Sequence, residues 1–393
     1  MDTVKLKDIS INNRGYYGIG ASAVDYNADK YTYLRITDIN DDGSLNKNGL
    51  MSVDDEKANQ YLLQKNDIVF ARTGASTGRN YFYDGEIGNI VYAGFLIKFS
   101  LNFDLVNPRY IKYYCLSQKY KDWILSSLTG STRPNINEKQ LADMPIELPE
   151  REYQDKVVEI LDSLTSKIIL NNEMNNNLYE LAINYLNEKV EETEVPVSKF
   201  AKIQGGYAFK SKDLIDVHTK NRIIKIKNLR SEINADVINS QFVESEVVEK
   251  LDNKFRLSKG DVAIAMTGAE LGKTGFIYGN DNYFLNQRVG VIRGKNKASE
   301  LYLKILFLSD EFQTLLNSKG YGSAQPNVST SDIENILIND ITEDNLKKLY
   351  EIIKPIYEKI VSNSEEILNL EQLRDTLLTK IMNDEIDLNN VEI

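Results

Sequence analysis

Apolar residues recur along two stretches of the chain in steps of four, three and four. In the first they fall at Val157, Leu161, Leu164 and Ile168, and again at Met174, Leu178, Leu181 and Tyr185. In the second, Leu346, Leu349, Ile353, Ile356, Ile360, Ile367, Leu370, Leu377 and Ile381 keep a three-four rhythm, interrupted at Asn363 and Arg374. Such steps line up side chains on one face of an α-helix, in a stripe as narrow as a coiled-coil seam. The spacing therefore predicts two long helices, the first with a slip in its seam between Ile168 and Met174. Pro355, which aligns with Ser163 of the first stretch, predicts a kink or a late start in the second helix. Elsewhere Asp67 to Ala71, Ile90 to Phe99, Asp261 to Ala265 and Tyr283 to Arg293 are β-rich runs bounded by Gly and Asn, and Pro108 to Leu128 reads as helix.

The two halves of the chain repeat one another. Lys65-Asn66-Asp67-Ile68-Val69-Phe70-Ala71-Arg72-Thr73-Gly74-Ala75 returns as Lys259-Gly260-Asp261-Val262-Ala263-Ile264-Ala265-Met266-Thr267-Gly268-Ala269, and both run on to Gly78-Arg79 and Gly272-Lys273. Gly130-Ser131-Thr132-Arg133-Pro134-Asn135-Ile136 returns as Gly322-Ser323-Ala324-Gln325-Pro326-Asn327-Val328. Between these anchors the halves differ widely, as in residues 41–60 against 231–250. The framework is duplicated and the contents are not. Each helix carries a narrow apolar stripe on an acidic body, which needs a cover: the helix's own domain, or the other helix. Equivalent positions in a duplication favour antiparallel pairing about an approximate two-fold axis.

A length of 393 residues with 42% hydrophobic content accommodates two ordinary domains. Cys115 stands alone, which leaves no internal disulfide, and no apolar run approaches the roughly 20 residues that span a membrane. The expected location is cytoplasmic, without membrane contact. A net charge of -11 argues against nucleic acid only as an average. Residues 147–194 hold twelve acidic and four basic side chains and residues 343–393 hold twelve and six, so all the excess negative charge lies on the two helices. Residues 254–297 hold eight basic and three acidic side chains, and residues 109–133 interleave Arg109, Lys112, Lys119, Lys121 and Arg133 with four tyrosines and Trp123.

Catalytic chemistry has little material. Gly268-Ala269-Glu270-Leu271-Gly272-Lys273-Thr274 has three residues between its glycines where a phosphate-binding loop needs four, and the first copy has Arg79-Asn80 where Lys and Ser or Thr belong. Gly15 to Gly20 reads as a loop, and His218, the only histidine, as part of a surface turn. One His and one Cys leave zinc clusters, His-dependent triads and thiol catalysis almost without ligands.

These features together resemble the specificity subunit of type I restriction-modification systems, and the resemblance covers nearly the whole chain. It is carried by Gly205-Gly206-Tyr207-Ala208-Phe209-Lys210-Ser211, by Thr267-Gly268 through Gly272-Lys273 followed by Asn286-Gln287, by the Gly-x-x-x-Pro-Asn segments at 130 and 322, and by Leu148-Pro149-Glu150-Arg151-Glu152-Tyr153-Gln154. The second copy departs with Asn345-Leu346 where the first has Tyr153-Gln154. The implied fold is a mixed α/β (α+β) tandem duplication of a target-recognition domain plus a long helix, the helices pairing as an antiparallel coiled coil with pseudo-two-fold symmetry. Its parts would be residues 1–149 and 193–341 as recognition domains, 150–192 and 342–385 as helices, and 386–393 as a tail.

The resemblance implies a non-catalytic subunit that reads a bipartite, asymmetric double-stranded DNA site. It also implies two modification (methyltransferase) subunits and restriction (translocase/endonuclease) subunits as partners, with S-adenosylmethionine, ATP and Mg2+ held by them and no cofactor or metal in this chain. The rivals are a nucleotide-binding enzyme using the glycine loops and a coiled-coil scaffold without DNA contact. The duplicated loops and their local positive balance nominate Arg72, Arg79, Arg133, Asn135, Lys273, Arg288, Gln325 and Asn327 as DNA-binding residues.

Overall fold

A computed structural model describes residues 2–46, 49–85, 88–128, 134–229, 233–319, 327–386 and 388. The chain forms two compact units, Met1–Thr165 with Gln372–Ile393, and Ser166–Glu371.

In the first unit the buried run Asp67–Ala71 is the pivot, because strands in two sheets and a helical layer all pack around it. It lies between Leu96–Ser100 and Asn80–Tyr83, and Tyr16–Tyr17 closes the other edge of this antiparallel sheet. Successive strand side chains point to opposite faces. Ile68 and Phe70 accordingly join a core with the helices, while Val69 and Ala71 join another with Tyr81, Tyr92 and Leu34. Burial on both faces makes the run uniformly apolar instead of alternating. A second sheet orders Ala23–Val24, Met51–Val53, Tyr31–Leu34 and Ile90–Tyr92, the last pair parallel. Asp2–Lys5 pairs with Pro145–Leu148, joining the two ends of the domain.

The second unit repeats this plan. Ala201–Gly205, Val289–Gly294, Val262–Ala265 and Thr274–Phe276 form the counterpart sheet in the same order. Five strands, Leu214–Ile215, Gln241–Val243, Asn221–Ile224, Asn282–Leu285 and Arg256–Leu257, form the other. Glu194–Pro196 pairs with Leu337–Asn339.

Three runs differ from the sequence expectation. Ile90 to Phe99 is not one strand: Ile90–Tyr92 and Leu96–Ser100 belong to different sheets, joined by a turn in which Leu96 N donates to Ala93 O (2.8 Å). Tyr283 to Arg293 is not one strand either: Asn282–Leu285 and Val289–Gly294 belong to different sheets, as their first-half counterparts do. Pro108 to Leu128 is two helices, Pro108–Tyr114 and Gln118–Ser127, because Ser117 turns out of the helix to accept a bond from Tyr120 N and cap the second.

The long helices run Arg151–Asn187 and Glu343–Met382. The second passes through Pro355 and begins ahead of it, so the late start is not found. In the second unit the two helices pair antiparallel: Asn171 Nδ2 donates to Glu366 Oε2 (3.0 Å), Asn363 Nδ2 to Asn175 Oδ1 (2.9 Å), and Asn345 Nδ2 to Lys189 O (3.1 Å). In the first unit Val157, Leu161, Leu378 and Ile381 share one core, and Tyr153 Oη donates to Ile386 O (3.3 Å).

The seam itself corrects the spacing analysis. Met174 and Leu181 are exposed, whereas Ile168, Asn171, Asn175, Ala182 and Leu186 are buried. The stripe therefore does not slip after Ile168. It continues in step through asparagines, which an apolar count cannot register, and Asn363 and Ser364 occupy the facing core positions of the other helix.

Candidate nucleic-acid interface

Each domain presents the tip of a β-hairpin, and the backbone of that tip is duplicated bond for bond. After strand Asp67–Ala71 the chain turns at Gly74 (φ +74) and Gly78 (φ +90); after Val262–Ala265 it turns at Gly268 (φ +76) and Gly272 (φ +82). Side chains avoid this left-handed region, and a Cβ on Gly78 would also sit 2.7 Å from Ile124 Cγ2. Gly78 N donates to Ala71 O at 2.9 Å and Gly272 N to Ala265 O at 3.0 Å. The closing segment of each domain is tied onto the tip: Thr73 bridges Asn135 and Thr267 bridges Asn327, while Ile136 N donates to Arg72 O (2.8 Å) and Val328 N to Met266 O (2.9 Å).

This arrangement excludes the phosphate-loop reading on geometry. Gly268–Glu270 is a short turn that leads into strand Thr274–Phe276 of the same antiparallel hairpin, whereas a nucleotide loop delivers the phosphate to a helix N-terminus.

The nominated residues divide by how far their polar groups are already committed. Arg79 Nε donates to Asp41 Oδ1 (2.7 Å) and its Nη1 to Ile39 O (3.1 Å), so it buttresses the loop that carries Asp41. Lys273 is ion-paired with Glu270 in its own turn. Asn135 and Asn327 stand exposed at equivalent positions on the tips. Arg288 is exposed, and its Nη1 donates to Asn327 Oδ1 (3.3 Å). Arg72 lies against two rings, its guanidinium carbon 5.2 Å from the Tyr17 centroid and 5.9 Å from that of Phe95, and its buried Nε has no hydrogen-bond partner. Arg133 and Gln325 fall outside the described residues.

Aromatic residues at the tips went unrecognised in the sequence. Tyr17 and Phe95 are 43% and 56% exposed, large apolar surface that a folded domain ordinarily covers. Tyr207 stacks edge-on with Phe209 and Phe255, at ring separations of 5.0 and 5.5 Å. The signal for Tyr17 was present: Gly18 is the counterpart of Gly206, and a Cβ on either would lie 2.3 or 2.0 Å from a carbonyl oxygen, of Ala93 or Asn286. Gly15 to Gly20 is thus not a plain loop, since Tyr16–Tyr17 is an edge strand. Lys225 and Lys227 lie close together just after strand Asn221–Ile224. Burial and then the neighbouring Lys227 charge hold the Lys225 ammonium below the usual lysine range. The Lys225 Nζ donates to Gln241 Oε1 (2.5 Å) on the neighbouring strand.

His218 is exposed and packs on the Phe242 ring. Burial pushes the Cys115 thiol well up, which disfavours the thiolate needed for nucleophilic chemistry. Among the described residues no group of three His, Cys, Asp or Glu is placed to hold a metal ion, and no helix is long and apolar enough to cross a membrane.

With the duplicated tips and the paired helices in view, comparison with known proteins identifies the class. The model of the type I restriction modification DNA specificity domain matches residues 1–180 and again 207–372, and the chain belongs to that family. It is 24% identical over 359 residues to the MjaVIII specificity subunit of Methanocaldococcus jannaschii, covering 84% of this chain and 82% of that protein. It is 22% identical over 306 residues to the MjaIX specificity subunit of the same organism, covering 71% and 69%. A match to the HindI specificity subunit of Haemophilus influenzae takes in 30% of this chain and 27% of that protein, at 24% identity. In fold it is similar to the S subunit of a type I restriction-modification system from M. genitalium, with a TM-score of 0.55 and 14% identity over 96% of this chain and 95% of that one.

Proposed function

We propose that this chain reads a bipartite DNA site, one half with each recognition domain, and supplies that specificity to catalytic partners. The observation that carries the reading is the duplication of an identical backbone tip bearing unlike side chains. A frame that presents side chains in the same way twice, with different side chains each time, suits recognition of two different short sequences.

The partners in this reading are two modification (methyltransferase) subunits and restriction subunits, which bring S-adenosylmethionine, ATP and Mg2+. The acidic long helices serve protein contact, because negative charge is repelled from the duplex. Much of the positive surface then comes from the partners, and the isolated chain is expected to bind DNA weakly. Methylation of a randomised duplex library by the assembled complex tests this directly. A single two-part motif with an unspecified gap is the expected product; methylation without any sequence preference would favour a scaffold that does not touch DNA.

The helices set the gap in this account. An insertion within Asn175 to Asn177, midway along the first helix, would displace a buried core residue, Asn175. Matched insertions of four residues after Ser166 and after Glu371 spare it. A helix rises about 1.5 Å per residue and B-DNA about 3.4 Å per base pair, so about 6 Å is added and the gap is expected to lengthen by one or two base pairs. An active variant with the original gap would show that another element measures it.

A further inference from the structure

At each hairpin tip one strand-end residue and one turn residue are paired through the backbone. Arg72 N donates to Phe95 O (3.0 Å) in the first domain, and Met266 N donates to Arg288 O (3.0 Å) in the second. The sheet registers confirm the correspondence, since Ala71 pairs with Leu96 and Ala265 with Val289. Both tips therefore carry one arginine and one apolar side chain, with their places exchanged.

The exchange has a packing cause. In the second domain the neighbouring strands offer Gly205 and Gly290, and Met266 fills the space above them: its Cε lies 3.9 Å from the Cβ position of Gly205, its Sδ 3.1 Å from that of Gly290, and it is buried. In the first domain those places are Tyr17 and Ile97, opposite one another in register. No room is left for a side chain to fold inward at residue 72, and Arg72 lies across the Tyr17 and Phe95 rings instead. With Met266 turned in, the cation of the second domain comes from the turn, where Asn327 Oδ1 orients the Arg288 fork.

We infer that Arg72 and Arg288 are the specificity-determining residues of their domains, each reading a guanine in its own half-site. The inference rests on the DNA-recognition reading above and deepens it. Three observations support it. Neither guanidinium is spent on a carboxylate among the described residues, unlike Arg79 and Arg109. Ring faces or a carbonyl oxygen fix the plane of each. The guanidinium donors left over, beyond the buried Arg72 Nε and the Arg288 Nη1 bond to Asn327, form a planar fork that matches two acceptors side by side, which guanine offers at O6 and N7 in the major groove. The pair also differs between copies while Asn135 and Asn327 do not. Groups that position a duplex are needed identically in both copies, and groups that read it must differ, in kind or in place, if the half-sites differ; here the arginine keeps its kind and changes its place.

The test is methylation of a randomised library by the assembled complex carrying Arg72→Ala, Arg72→Lys or Arg288→Ala, with a thermal melt of each variant to confirm folding. Arg72→Ala is expected to lose tenfold or more of the discrimination at one G·C pair of one half-site, and Arg288→Ala to do so in the other half-site. Lysine keeps the charge and loses the fork, so Arg72→Lys is expected to retain the salt dependence without restoring the discrimination. A uniform loss on all sequences with a shallower salt slope would identify phosphate contacts and overturn the inference, and so would an unchanged motif. Exchanging residues 1–149 for those of a relative separates the two levels. If that exchange alters one half-site and Arg72→Ala does not, the inference fails alone; if the exchange alters neither, the recognition reading fails with it.

Discussion

The two copies of the recognition domain hold the same buried carboxylate by different means. Asp67 accepts from Gln64 N (2.7 Å) and Ser100 Oγ (2.5 Å) and is paired with Lys98 (3.0 Å); Asp261 accepts from Ser258 N (2.8 Å) and is paired with Arg293 (2.8 Å) and Lys304 (3.4 Å). The backbone donor is common to both, and the cations come from different positions on strand and helix. The hairpin tips follow the same rule, with backbone bonds retained and the arginine moved. Duplication has preserved the main-chain scaffold and the demand for a charge at a place, while leaving open which residue meets it.

The largest expected effect that would break this comparison is at Asp261. Replacing it with Asn leaves the Arg293 fork facing a neutral amide and the nearly buried Lys304 with Glu300 (2.8 Å) as its remaining carboxylate, and breaking a buried pair on one side costs about 3–5 kcal/mol. Asp67→Asn strands only Lys98 and is expected to cost less; denaturant unfolding of both variants ranks them, and equal losses would show that the number of cations is irrelevant. Next come the glycines under the tips. A methyl group on Gly18 or Gly206 meets backbone oxygen, and each Ala variant is expected to lose about 1–3 kcal/mol, in its own domain only. Limited proteolysis, which reports the domains separately, checks this, and equal protection of the altered and unaltered domains would contradict it.

A smaller effect sharpens the contrast between the domains and the helices. Asn363 is buried with an unpartnered Oδ1, and its Nδ2 is bonded to Asn175. Replacing both with Leu removes a polar layer that is costly to bury, and the melting temperature is expected to hold or rise, while Asn363→Ala alone lowers stability by about 1–3 kcal/mol because Asn175 loses its donor. A marked loss in the double Leu variant would mean that the layer stabilises the pair. The smallest effect concerns Asp143, whose carboxyl is held down at about 2 by hydrogen bonds from Lys7 and Lys5. A depressed carboxylate contributes stability above its usual value of 3.8, and that contribution is lost as pH falls toward about 2. Asp143→Asn is expected to flatten the acid limb of the stability profile in that window and leave the neutral region little changed; an acid limb identical to the unmodified chain would contradict it.

The duplication, the two long helices and the strand Asp67–Ala71 were legible because each leaves a pattern in a single sequence: a repeat, a three-four spacing, a run of apolar residues. The seam between Ile168 and Leu186 was misread because its core positions are asparagines. Ile90 to Phe99 was misread because a lone glycine inside a strand pattern, here Gly94, is equally compatible with a bulge, and Tyr283 to Arg293 because its break at Asn286-Gln287-Arg288 holds no glycine or proline. Among the site residues, the sequence located the tips through their glycines but could not separate the committed cations, Arg79 and Lys273, from Arg72 and Arg288. That distinction depends on Asp41, Glu270, Tyr17 and Phe95, partners that lie near in space and, for all but Glu270, far away in the chain. Tyr17 and Phe95 were overlooked because an exposed aromatic residue looks like any core residue until its surroundings are known.

The central claim is that each domain specifies one half of a bipartite site on its own. The most direct measurement is the methylated motif of the assembled complex before and after residues 1–149 are exchanged for the matching domain of a relative. The account predicts a motif in which one half-site changes while the other half-site and the gap stay the same; a change in both halves, or in neither, would contradict it.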